Sequence, residues 1–129
     1  MTPINLKTET DVVKTEGPNR YSRDEVTIAS GSGIVEVGAV LGKVTASGEY
    51  RPVNPAASDG SQTASRVSLQ RVNATSAAVP RTVVLSRHAE VVAQALVFAA
   101  GVNATQRATA LSQLETAGIV ARGFELRQG

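Results

Sequence analysis

The stretch from Gly31 to Ser65, GSGIVEVGAVLGKVTASGEYRPVNPAASDGSQTAS, holds six of the chain's eleven glycines. Between the glycines stand β-forming residues in short runs, Val35, Val37, Val40, Val44 and Tyr50, so the glycines mark turns or bulges that need a positive φ. The stretch reads as packed β-structure with tight turns and not as a phosphate cradle. A dinucleotide loop needs its third glycine three residues after the second, so that helix and strand pack while backbone N–H groups face the pyrophosphate. Here that position is Glu36, the next glycine comes too late at Gly38, and Lys43 has no Gly-Lys-Ser/Thr context.

A chain of 129 residues suits one domain with tails. Only four aromatics (Tyr21, Tyr50, Phe98, Phe124) stand among many alanines and valines, so the core must be built from small side chains, which suits close strand packing and stabilisation by neighbouring subunits. The lack of cysteine excludes disulfides, thiolate metal sites and cysteine nucleophiles. No apolar run is long enough to span a bilayer, and MTPINLKTET lacks the basic and apolar blocks of a signal peptide. The expectation is a soluble protein made in the cytoplasm, with no membrane partner. Thirteen basic against eleven acidic side chains leave a formal charge of +2, and the arginines are scattered without a basic stripe, so no direct nucleic-acid contact is expected.

Residues 1–24 are polar, contain Gly17-Pro18, and offer only Ile4, Leu6, Val12 and Val13 as apolar anchors. Ordering a chain costs about 1–2 kcal/mol per residue, more than these anchors offset alone, so the segment reads as an extended arm held by a partner or a neighbouring subunit. Residues 25–129 read as a β-rich domain. EVTIAS (25–30) alternates as a half-buried strand. VLGKVT (40–45) and EYRPV (49–53) flank Ala46-Ser47-Gly48 as a hairpin. NPAASDGSQTAS (54–65) is a loop, RVSLQRV (66–72) a strand, NATSAAVPR (73–81) a second loop, and TVVLSRH (82–88) and EVVAQALVF (90–98) strands. The helix falls at 104–117: Asn103 caps it, Gln106 closes a capping box, Ala108, Leu111 and Leu114 line one face, and Gly118 stops it with Ile119 packing back on Leu114. IVARGFEL (119–126) ends in a strand. This order, mainly β with one C-terminal α-helix, argues against a wound βαβ sheet.

His88 is the only histidine, and with Ser86 and Glu90 it forms a Ser/His/Glu row at strand spacing. No Gly-x-Ser-x-Gly turn and no Ser-x-x-Lys accompanies it, so the row reads as ordinary strand residues. Asp24, Glu25 and Asp59 lack the alternating oxygen ligands of a calcium loop and read as solvated charges. Asn73-Ala-Thr75 and Asn103-Ala-Thr105 match glycosylation sequons but serve as a loop and a helix cap. The expectation is a protein that is not an enzyme, with no catalytic residue, no metal and no cofactor.

As strings, GIVEVGAVLGKVTASGEYRPVNPAASDGSQTA (33–64), RVSLQ (66–70) and ALSQLETAGIVAR (110–122) resemble the head decoration proteins of tailed bacteriophages, the lambda-type D family, over residues 25–122. The resemblance implies a β-clip-like decoration domain preceded by an extended N-terminal arm. It implies homotrimers on the outer surface of the expanded head, bound to the major capsid protein and cementing the shell against the pressure of packaged DNA. It implies synthesis in the host cytoplasm and a final place in the virion. The family's arm is flexible when free and ordered on the shell, which makes Ile4, Leu6, Val12 and Val13 the expected capsid-binding residues. Two other readings stay open: another phage structural component, such as a minor head or tail-attachment protein, and a small-ligand-binding β-domain.

Overall fold

The computed structural model describes residues 12–16, 23–87, 89–92, 95–98 and 101–122. Among them are ten strands and one helix: β1 (Val13–Glu16), β2 (Arg23–Ile28), β3 (Gly33–Val35), β4 (Val40–Lys43), β5 (Tyr50–Pro52), β6 (Ala64–Ser68), β7 (Val72–Ala74), β8 (Val79–Leu85), β9 (Ala89–Val92), α1 (Ala104–Thr116) and β10 (Ile119–Arg122). The mainly β chain with one helix near its C-terminus is as expected.

Five strands close into a barrel in the order β2-β5-β4-β6-β8, with β8 returning antiparallel to β2. The expected hairpin forms one part of this wall. Leu41 stands opposite Pro52 and Lys43 opposite Tyr50, and in the turn Gly48, at φ 75°, donates its N–H to Val44 O at 2.8 Å. That backbone conformation is one side chains resist.

RVSLQRV does not run as one strand. At the end of β6 the Ser68 hydroxyl donates to Gln70 O at 2.7 Å, a local bond that competes with ladder pairing. The chain turns there, and β7 leaves the barrel to pair antiparallel with β3, Gly33 opposite Ala74 and Val35 opposite Val72. The loop expected at 73–81 accordingly shrinks, because β7 takes its start and β8 its end. β8 carries an extra residue against β2, since Val26 faces Thr82 but Ile28 faces Val79. Arg81 accommodates it at φ 60°, a left-handed conformation costing a non-glycine residue about 1–2 kcal/mol.

The third sheet has the order β1-β9-β10, β9 antiparallel to β1 and parallel to β10. Parallel neighbours need a crossover, and α1 lies within it. One β-α-β unit thus sits among the described residues. EVVAQALVF ends its strand at Val92. Its Val97 instead bridges Ala39, with Val40 N donating to Val97 O at 3.0 Å and Val97 N to Gly38 O at 2.9 Å.

The helix is capped as the sequence indicates. Asn103 Oδ1 accepts from Gln106 N at 2.8 Å, and Gln106 Oε1 accepts from Asn103 N at 3.0 Å. Its inward face differs from the expected stripe: Ala110 and Leu114 are buried, Leu111 is half-buried against the same cluster, and Ala108 is exposed. Positions 110 and 114 are one i, i+4 pair and set the face. Gln113 adds a polar tie, accepting from Ala64 N of β6 at 2.8 Å.

Successive residues of a strand point to opposite faces, and the barrel wall uses both. Leu41 and Val84 join Ile28, Val35, Ala39, Tyr50 and Ala74 in one cluster, which recruits the β3–β7 ribbon. Their neighbours Val40 and Leu85 join a larger cluster with Val12, Val91, Ala110, Leu114 and Ile119, which recruits the β1-β9-β10 sheet and α1. Tyr50 is the one buried aromatic among the described residues.

Candidate functional site

The glycine-rich stretch resolves into backbone packed on backbone. Residues 54–63 fold back onto β4, with Thr45 N donating to Asp59 O at 2.8 Å and Asn54 N to Ser61 O at 3.0 Å. A Cβ on Gly42 would lie 2.5 Å from Ser61 O, and one on Gly60, at φ 107°, would lie 2.5 Å from Lys43 O. Neither position tolerates a side chain without moving main chain. The charge in this loop is also used internally. Asp59 Oδ1 accepts from Ser61 Oγ at 2.5 Å and from Ser61 N at 2.9 Å, and these bonds, aided by Arg51 at 3.7 Å, hold its carboxyl below the ordinary carboxylate range. Beside the loop, an open groove of about 420 Å³ runs to the start of α1, lined by Arg51, Pro52, Asn54, Pro55, Val102 and Gln106 among others.

The Ser/His/Glu row is not assembled by the described residues. His88 lies outside them. Ser86 is buried just after β8, while Glu90 belongs to β9 in another sheet. Asp24 bonds the Arg87 guanidinium at 2.6 Å. Partial burial acts to raise its pKa, but the bond to Arg87 and the charges of Arg87 and Arg66 outweigh that and hold it below the ordinary value. Asp24 and Asp59 are therefore solvent-open carboxylates, as expected, that also hold fixed partners; Glu25 is exposed. Residue types alone do not separate these cases, because the partner of Asp24, Arg87, lies far along the sequence.

Among the described residues no group of three or more His, Cys, Asp or Glu side chains is placed to hold a metal ion, and no helix is long and apolar enough to cross a membrane. Asn73 Oδ1 accepts from Thr75 N at 3.0 Å in a turn, and Asn103 caps α1, so both sequon asparagines have local structural work.

Of the four expected arm contacts, Ile4 and Leu6 lie outside the described residues. Val12 is completely buried in the larger cluster, and Val13 packs half-buried against it from β1, opposite Val91. These two valines pack against this chain's own core. Their partner strand lies far along the sequence, which is why a polar context hid the pairing.

What the described surface does offer is strand edge. β1 and β10 flank β9, and neither has a strand partner on its outer side among the described residues. Ile34 of β3, 51% exposed, is the one exposed large hydrophobic residue among them. No periodicity in the sequence announces which strands lie at an edge. A model of the protein family described as bacteriophage lambda head decoration protein D matches residues 2–119. No curated protein and no solved structure gives a match.

Proposed function

The chain belongs to the bacteriophage lambda head decoration protein D family, and from that membership we propose that it binds the outer surface of the expanded head as a homotrimer, contacts the major capsid protein and stabilises the shell against packaged DNA. The family match over residues 2–119 carries this reading; membership itself places the protein with the capsid of the virion as a structural component. Synthesis in the host cytoplasm and attachment from outside complete the proposal.

Three features support the finer points. A core of small side chains with a single buried aromatic among the described residues gains from burial against like subunits. Open strand edges leave main-chain donors and acceptors for a neighbour. The eleven residues before Val12 can span at most about 40 Å, against a radius of gyration of about 14 Å for a domain of this length, long enough to reach subunits the body does not touch. Ile4 and Leu6 are then the apolar anchors, worth about 1.5–3 kcal/mol each when fully buried, and three arms per trimer multiply a weak contact through effective concentration.

Mixing purified protein with expanded, undecorated heads and imaging them tests the proposal. Stoichiometric density at three-fold and quasi-three-fold positions is the expected outcome. Density confined to one vertex or to the tail would favour a minor head or tail-attachment role, and heads that remain bare would overturn the reading.

A further inference from the structure

Asp59-Gly60 is the only Asp-Gly or Asn-Gly pair in the sequence, and such a pair can react with itself. The glycine nitrogen bonds to the aspartate Cγ, unhindered because glycine has no Cβ, and one carboxyl oxygen leaves as water. The resulting succinimide takes water back at either carbonyl. One opening restores the aspartyl link; the other leaves an isoaspartyl link with an extra methylene in the main chain. Atoms balance and nothing is oxidised or reduced.

Both reacting groups are occupied in the fold. The nucleophile, Gly60 N, donates to Gln62 Oε1 at 2.8 Å. The electrophile, the Asp59 carboxylate, accepts from Ser61 N at 2.9 Å and Ser61 Oγ at 2.5 Å, and its other oxygen lies 3.7 Å from Arg51. The backbone around them has little freedom to re-aim. Ser61 is completely buried, and Gly60 is pressed against the Lys43 carbonyl and the Thr45 hydroxyl. The depressed carboxyl pKa adds to this, since the ionised carboxylate loses water poorly.

We propose that Asp59-Gly60 is the chain's site of isoaspartate formation, and that Gln62, by holding the Gly60 amide, and Ser61, by holding the Asp59 carboxylate, keep the reaction shut while the domain is folded. An extra methylene here cannot be absorbed quietly. The same residues supply Asp59 O to Thr45 N and Ser61 O to Asn54 N, so the modified loop would detach from β4. Protein that has lingered unfolded would be chemically marked in a loop that the barrel needs.

The test incubates the full chain at neutral pH and physiological temperature, folded and in urea, and follows isoaspartate in the 59–60 peptide by mass spectrometry and by enzymatic isoaspartyl methylation. The folded protein should react at least about tenfold more slowly than the unfolded chain, on the order of one hydrogen bond's worth of rate. Gln62→Met, which keeps the volume but removes the acceptor, and Ser61→Ala should each raise the folded rate about two- to tenfold while leaving the rate in urea unchanged. Equal rates for the wild-type protein folded and in urea would overturn the proposal, as would an unchanged rate in a folded Gln62→Met variant. Should either variant fail to melt cooperatively, the wild-type comparison decides by itself.

Discussion

The barrel and the β1-β9-β10 layer share one wall and solve the edge problem differently. All five barrel strands come from residues 23–85 and close on themselves, which removes every edge from the set. The layer gathers three four-residue strands from the two ends of the chain and from between them, and its outer edges have no strand partner among the described residues. Closure makes a body that needs no neighbour to satisfy its main chain. The layer, held mainly by apolar side chains against the wall, keeps backbone groups to offer at its outer edges.

The largest effects expected are in the two cores, and they separate the regions. Leu41 and Leu114 are both completely buried, one in each cluster, so Leu41→Ala and Leu114→Ala should each lower the free energy of chemical unfolding by about 2–5 kcal/mol. Native-state hydrogen exchange should tell them apart. Leu114→Ala should speed exchange in β9 and β10 well beyond that in β4 and β6, because the layer can open while the barrel stays shut. A uniform acceleration would mean that wall and layer are one cooperative unit. Half-buried Leu111 should cost clearly less than Leu114 when cut to alanine.

The barrel was also the more legible of the two in the sequence. EVTIAS, the VLGKVT/EYRPV hairpin, RVSLQ and TVVLS each carry a local signal, alternation or a glycine turn, that survives into the structure. The splitting of RVSLQRV was not legible, since it depends on a serine hydroxyl bonding its own backbone at Ser68. In the layer, the helix α1 with its local cap and stop, the start of EVVAQALVF as β9 and IVAR as β10 were legible, but β1 and the pairing of the three strands were not. Val12 and Val13 sit in a polar segment whose partner, β9, is distant along the chain, and a strand pairing that distant leaves no local trace. The same limit applies to the carboxylates. Nothing beside Asp24 in sequence names Arg87, whereas the Asp59-Ser61 bond spans two residues and belongs to an ordinary turn pattern.

The next effect divides the N-terminal segment at β1. Removing residues 1–10 should leave the melting temperature unchanged and weaken attachment to heads, because Val12 and β1 stay in place. Removing residues 1–16 should in addition lower stability by about 1.5–3 kcal/mol from the lost burial of Val12 alone, and should expose the β9 edge that β1 covers. Calorimetry and head-binding on both truncations read the two effects separately. A 1–16 deletion that melts like the full chain would show that β1 adds nothing to the layer, and a 1–10 deletion that binds heads normally would remove Ile4 and Leu6 as anchors.

The smallest effect concerns the link between the regions. Asp24 lies on β2 of the barrel, and Arg87 lies in the segment leading from β8 to β9, so their 2.6 Å bond ties wall to layer. Both side chains are about one-third exposed, 37% and 32%, and pairs so open to solvent contribute only about 0.2–1 kcal/mol. The sign with pH follows from the depressed carboxyl. Its folded pKa lies below the ordinary 3.8, so the unfolded chain takes up protons first as pH falls. The stabilisation is complete above the unfolded value and is lost as pH drops through the folded one. Asp24→Asn should therefore lower stability slightly at neutral pH, and the gap from wild type should shrink to nothing in acid below that folded value. A gap that persists undiminished at low pH would show that Asp24 acts through shape rather than charge, and the tie between barrel and layer would then rest on apolar packing alone.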